Sequence, residues 1–464
     1  MNYRKTIRIV GAGTLLLMLS ACRMFEPKRE DVLQGYAAAG MQVEPVQPDR
    51  RASWWLDFNS SQLNRLMREA FAGSLTLEQS AARLEQVEAL ARRNNASLWP
   101  KLNVRGDASE RRTDTDSGRV VTNNFSGGLY ASYEVDLWGE LSSSRRASMA
   151  NYEASKYDLQ TAAMTLSANL ADAYFDWLSQ NAVLAVYESQ LESSRNKLEA
   201  LELRYNRGQA TILAVLQQRQ QLAGAEARIP PVQANINRLY NRIAILTGRI
   251  PGTDLGIVVE ELPELPPRPV EGIPVRLLAN RPDVQAARLD LVSADANVAS
   301  ARAARLPAIS LTGSVVSSTG EWNQLFDDWT ENLAASLFAP IIDGGSRKAD
   351  VDRNLAISRE RLAGYRLAVL GAIQETENAL SDETHQQEFV EALTRQYEAA
   401  LNSEEESMRR YQRGIITYLD ALNAINSRES LEISNLNAKA NLLGDRISLY
   451  RALGGNWNFI LEEK

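Results

Sequence analysis

Few side chains in this sequence could do chemistry. The one histidine, His385, has Asp382 and Glu388 three positions to either side on a helical stretch, a weak pattern for a metal site. A surface polar cluster explains it better, because catalytic metal sites generally use more His or Cys than this chain owns. The same lone His leaves no Ser-His-Asp or Cys-His machinery. Gly11-x-Gly13 lies in an N-terminal apolar run and Gly344-Gly345 at a strand-to-helix turn, so neither reads as a phosphate loop. Glu404-Glu405-Glu406 reads as a solvated helix face. With one Cys, disulfides within the chain are impossible. An enzyme is therefore the least supported class, and no cofactor is expected.

That one Cys is informative by position. Residues 1–21 have a basic start (Arg4, Lys5, Arg8), the apolar run Leu15-Leu16-Leu17-Met18-Leu19 and a small-residue end. This is the pattern of a secretory signal. Leu19-Ser20-Ala21-Cys22 follows and resembles the bacterial lipobox, in which the Cys is acylated. Arg23 stands where an Asp would retain such lipoproteins in the inner membrane, so the expected address is the outer membrane of a Gram-negative bacterium. Lipid on Cys22 would anchor the chain without spanning the bilayer. The net charge is −7, and −10 once residues 1–21 are removed. That does not suit nucleic-acid binding. An acidic wall would favour cations if the protein encloses water.

The 464-residue chain is built twice. Tyr205-Asn206-Arg207-Gly208 returns as Tyr411-Gln412-Arg413-Gly414, 206 positions later. The same shift pairs Gly139 with Gly345, Arg204 with Arg410, Thr211 with Thr417 and Gly248 with Gly454. Matching flanks around a repeated tetrapeptide mean an internal duplication. We read 22–60 as a lipidated, extended N-terminal segment that docks through Trp54-Trp55 and Phe58. Residues 61–248 form the first repeat, 249–273 a Pro-rich linker, 274–455 the second repeat and 456–464 a tail.

Within each repeat the hydrophobic period changes. Residues 62–98 are helical in pattern, ending before Pro100. Leu102, Val104 and Ala108 then alternate with polar residues. In the next run Phe125, Gly127, Leu129, Ala131, Tyr133 and Val135 share one face. The second copy repeats this after Pro307, with Ile309, Leu311, Gly313 and Val315, then Leu333, Ala335, Leu337 and Ile341. Four strands of about ten residues suit tilted membrane crossings. Residues 141–204 contain no Pro or Gly and would span nearly ~100 Å as a helix. Ala163, Leu170, Trp177, Leu184, Leu191, Leu198 and Tyr205 recur at seven, as do Val215, Leu222, Ile229, Ile236 and Ile243 on the return. This is coiled-coil spacing. Its phase survives Pro230-Pro231, which predicts a kink or short break rather than a boundary. Arg281-Pro282-Asp283 opens the second copy, with Pro suited to a first helical turn.

Four strands cannot close a barrel, and lipid satisfies no open sheet edge. The strands must be pooled across identical subunits, giving about 8, 12 or 16.

The combination resembles the outer membrane factor family, the TolC-like efflux channels, in its lipoprotein branch of nodulation-T type. The resemblance rests on the lipobox, Trp54-Trp55-x-x-Phe58, Leu98-Trp99-Pro100 echoed by Arg305-Leu306-Pro307, Arg281-Pro282-Asp283, Ile229-Pro230-Pro231 and the doubled Tyr-x-Arg-Gly. It implies a mainly α chain with membrane strands, three copies making a twelve-stranded barrel and a long coiled-coil α-barrel. It implies a periplasmic adaptor (membrane fusion) protein and an inner-membrane efflux pump as partners, with outer membrane lipid around the strands. It implies passive export of small molecules, drugs or metals. By position Asp420 matches the first aspartate of the family's periplasmic gate, Asn423 stands where the second would be, and Leu419 falls at an apolar constriction. Ile416 replaces a partner arginine. Three Asp420 side chains on a threefold axis should raise one another's pKa. Tyr205, Gly208, Tyr411 and Gly414 mark the helical tips, where the resemblance places the adaptor. Two alternatives stay open: a channel for type I protein secretion, and a non-conducting coiled-coil scaffold across the periplasm. A scaffold has no use for two long hairpins with one apolar face.

Overall fold

The computed structural model describes residues 25, 27, 53–116, 118–269 and 280–454. The signal segment, Cys22 and the tail 456–464 lie outside the described residues. Helices α1 (Ser61–Gly73) and α2 (Leu75–Ala96) precede strands β1 (Lys101–Thr115) and β2 (Gly118–Val135). Helices α3 (Glu140–Asn206) and α4 (Ile212–Leu246) complete the first copy. The second copy has α5 (Pro282–Ala303), β3 (Ala308–Thr319), β4 (Thr330–Phe338), α6 (Ser346–Gln412) and α7 (Tyr418–Leu453). The long helices α3 and α6 both have 67 residues and begin 206 positions apart, so the duplication is kept in the backbone. The chain forms two compact units, both of which take residues from α3 and α6.

The first unit takes in the described residues of Ala82–Tyr157 and Gln285–Ala368. Its four strands form one antiparallel sheet in the order β1-β2-β3-β4. The two hairpins join through β2 and β3, with Leu129 opposite Val315 and Tyr133 opposite Leu311. Gly128 permits this join, since a Cβ there would lie 2.4 Å from the Val315 carbonyl oxygen. Both outer strands are exposed, with Val104 81% and Leu333 87% accessible. Two expectations fail here. The first hairpin is longer than about ten residues a strand, at 15 and 18, because its polar outer part pairs on from Ala108–Phe125 to Thr115–Gly118. The fourth strand ends at Phe338 and leaves Ile341 outside, because Pro340 cannot donate to a ladder. Helix starts are capped by acids: Asp136 accepts from Leu141 and Ser142 N–H at 2.9 and 2.8 Å. Asp343 does the same for Gly345 and Arg347. Arg302 of α5 donates to the Phe25 carbonyl at 2.6 Å.

The second unit takes in the described residues of Tyr36–Ala81, Asp158–Val284 and Val369–Lys464. The expected docking of the N-terminal segment is found. Trp54–Phe58 is a 3-10 turn that buries Trp54, Trp55 and Phe58; Trp54 stacks on Tyr450 at 5.2 Å and Phe58 meets Phe175 at 4.9 Å. The single helix expected over 62–98 is two, broken at Ser74, which is extended. The cause lies far away in sequence: the Gly73 and Gly248 backbones meet so closely that a Cβ on Gly248 would sit 2.0 Å from the Gly73 carbonyl oxygen. Helix α4 runs unbroken through Pro230-Pro231, so the proline pair marks neither a break nor a boundary. The linker is pinned along α1, where Gln62 exchanges bonds with Val258 and Arg65 donates to Leu255 and Gly256 carbonyls. Arg281 explains its motif: its buried guanidinium donates to Asp283, Glu375 and the Ala452 carbonyl at 2.7–3.1 Å.

Candidate functional site: the paired helical tips

Both hairpin turns are built alike. Gly208 takes φ +77° and Gly414 φ +73°, the left-handed conformation that closes a helix at low cost only for glycine. Gly208 N–H donates to Tyr205 O at 2.8 Å and Gln209 N–H to Arg204 O at 2.8 Å. Gly414 N–H and Ile415 N–H repeat these bonds to Tyr411 and Arg410. The return helices start on Thr211 and Thr417, whose hydroxyls accept from Ala214 and Asp420 N–H.

The two tips pack on one another. Leu201, Ala214 and Val215 from the first copy bury against Tyr418 and Leu422 of the second. The Tyr418 hydroxyl donates to Gln218, whose amide donates to Ser194 O and Oγ at 2.8 Å each. Burial pushes the Tyr418 phenol up to about 12. Tyr411 lies edge-on to Tyr418 at 5.2 Å, and the Arg204 guanidinium covers its ring at 5.0 Å. Gln221 donates to Asn426 at 2.6 Å a turn further along.

The predicted site residues divide on this geometry. Leu419 (48% accessible), Asp420 and Asn423 lie exposed on the first turns of α7. Asp420 also closes a capping box: its carboxylate accepts from the Thr417 N–H at 3.0 Å and hydroxyl at 2.7 Å. Those bonds hold its carboxyl below the usual carboxylate range. The upward shift expected from three gathered copies would therefore start from a depressed value. Tyr205, Gly208 and Gly414 are exposed, whereas Tyr411 is half-buried between the tips. The two tyrosines are not equivalent.

Two features escaped the sequence. Glu404 is not part of a solvated face. It pairs with Arg428 at 2.7 Å and lies 3.9 Å from Lys197, in a network linking α3, α6 and α7, while Glu405 and Glu406 stay exposed against Arg409 and Arg410. Burial pushes the Lys197 ammonium down and the Glu429 carboxyl up beside it. Second, α7 exposes a lane with Asn423, Ser427, Ser430, Ser434, Asn437 and Asn441, all uncharged. Its signal was legible: the lane follows the apolar 3–4 spacing of Ile433, Leu436 and Ala440 by one residue. His385 is exposed with Asp382 and Glu388, as its reading as a surface polar cluster expected, and its Nδ1 is 2.8 Å from the Ser381 carbonyl oxygen. Among the described residues no group of three His, Cys, Asp or Glu is placed to hold a metal ion.

Comparison with known proteins places this architecture. The family described as "Outer membrane efflux protein" matches residues 66–249 and 273–455, the two copies in turn. The pyoverdine export outer membrane protein OpmQ of Pseudomonas aeruginosa is 31% identical over 414 residues, covering 87% of each chain. The cation efflux system protein CusC of Escherichia coli is 26% identical, covering 88% of this chain and 89% of its own. The solved outer-membrane channel OprN superposes with a TM-score of 0.85 at 29% identity, covering 89% of this chain and 94% of its own. With both copies matched across their length, the chain belongs to the outer membrane efflux protein family.

Proposed function

We propose that three copies of this chain form the duct of a tripartite efflux system, closed in its resting state at the tips of α7. The observation that carries this is the four-stranded sheet with both edge strands exposed. Unpaired N–H and C=O groups in hydrocarbon cost several kcal/mol each, so the edges require partners, and three sheets give twelve strands. Asp420, Asn423 and Leu419 form the constriction, being exposed beside one another at the mouth of α7. The exposed turns at Gly208 and Gly414 are the surface offered to a periplasmic adaptor, which links the duct to an inner-membrane pump. Cys22 carries the lipid anchor. Relatives are named for export of pyoverdine and of cations, which supports a small-molecule cargo.

The reading is tested by native mass spectrometry of mixed isotopic subunits, followed by planar-bilayer recording of the same material. Three copies and a small cation-selective current are expected. Two or four copies would refute the stoichiometry, and a folded trimer without current would refute the duct. Labelled fatty acid should appear on the wild type and be lost in Cys22→Ser; label retained by the variant would remove the anchor.

A further inference from the structure

Well away from the tips, α3, α6 and α7 line an open groove of about 690 Å³. Asp172 and Asp176 enter it from α3, Asp382 and His385 from α6, and Asp445 from α7. Four carboxylates from three helices thus share one concavity, and each helix is continuous toward the tip.

The cations nearby do not neutralise it. Arg242 of α4 and Arg451 of α7 draw Asp172 toward its charged form, yet burial and Asp176 outweigh them. Arg242 likewise faces Asp176, where burial again outweighs it. Asp445 is pushed up by burial first and then by the charges of Asp382 and Glu383. The arginines on that side are committed: Arg446 binds Glu383 at 2.7 Å and Arg268 binds it at 3.1 Å. The Arg446 guanidinium also donates to the Pro266 carbonyl.

We propose that this groove is a proton-sensitive brace of the helical section: at neutral pH its carboxylates hold α3, α6 and α7 under mutual repulsion, and protonation of Asp172 and Asp445 releases that repulsion in acid. Burial first, and the neighbouring carboxylates second, push both groups up to about 6. Their ordinary value is near 3.9 in an unfolded chain. The folded state therefore binds protons more readily between about pH 4 and 6, and stability falls as pH rises through that window. This is opposite in sign to the usual paired carboxylate.

The test is thermal unfolding of the full assembly, followed by circular dichroism at a fixed scan rate from pH 5.0 to 8.0. The wild-type midpoint should fall by a few degrees between pH 5.0 and 6.5 and level off above. Asp172→Asn with Asp445→Asn should keep the acid midpoint across the whole range. A wild type without the fall, or a double variant that keeps it, would overturn the brace. If the double variant does not assemble, Asp382→Asn carries the test alone. Removing that charge should move the transition to lower pH, and an unmoved transition would overturn the proposal.

Discussion

The tips at Gly208 and Gly414 share a backbone and differ in what stands on it. Both turns close with the same pair of bonds, and both return helices begin on a threonine cap. At the third helical position, however, the first copy has Ala214, buried against the other tip, and the second has Asp420, exposed and charged. At the first position Ile212 is 51% accessible, while Tyr418 is buried with its hydroxyl on Gln218. Duplication supplied the scaffold twice, and substitution then made one copy the support and the other the face that carries charge. A functional reading of a repeat protein belongs at the positions where equivalent backbones carry unlike side chains.

The largest effect that could break this comparison is at those first positions. Tyr418→Ala should cost about 3–5 kcal/mol, as a buried aromatic lost from a packed cluster. Ile212→Ala should cost roughly 0.5 kcal/mol, as a surface change. Denaturant unfolding of the two variants measures the gap, and equal losses would mean the tips are supported symmetrically.

A smaller contrast lies in the caps. Thr211→Ala should cost about 1 kcal/mol, the worth of one N-cap. Thr417→Ala should cost more at pH 7, because it also strips the hydroxyl bond that holds the Asp420 carboxyl low. A depressed carboxylate stabilises the fold above its unfolded pKa and loses that contribution as pH falls through its folded one. The excess cost of Thr417→Ala should therefore vanish in strong acid. An excess that persists there would mean the carboxylate takes no part in the cap.

Much of the architecture was legible because it follows local spacing. The 206-residue shift matched α3 to α6, and the heptad phase kept Pro230-Pro231 inside one element, though the short break expected there is absent from α4. What failed depended on distant partners or on water. The break at Ser74 answers to Gly248, on the far side of α3 and α4 in sequence. The outer part of the first hairpin is exposed on both faces, so it shows no alternation to read. Glu404 looks like its neighbours Glu405 and Glu406 until Arg428 comes beside it. At the site, the glycine turns and Asp420 could be located by position. That Tyr411 is clasped by Arg204 and Tyr418 while Tyr205 stays 43% accessible follows only from the packing of one tip on the other.

In the proposed duct the second tip closes the passage and the first supports it. Planar-bilayer conductance separates the two tips, recorded for Asp420→Ala beside the first-copy variant Gln217→Ala, whose position is equivalent to Asn423. Asp420→Ala should raise the current several-fold and weaken its cation preference, and Gln217→Ala should keep the wild-type current. Equal currents from both variants and the wild type would contradict it.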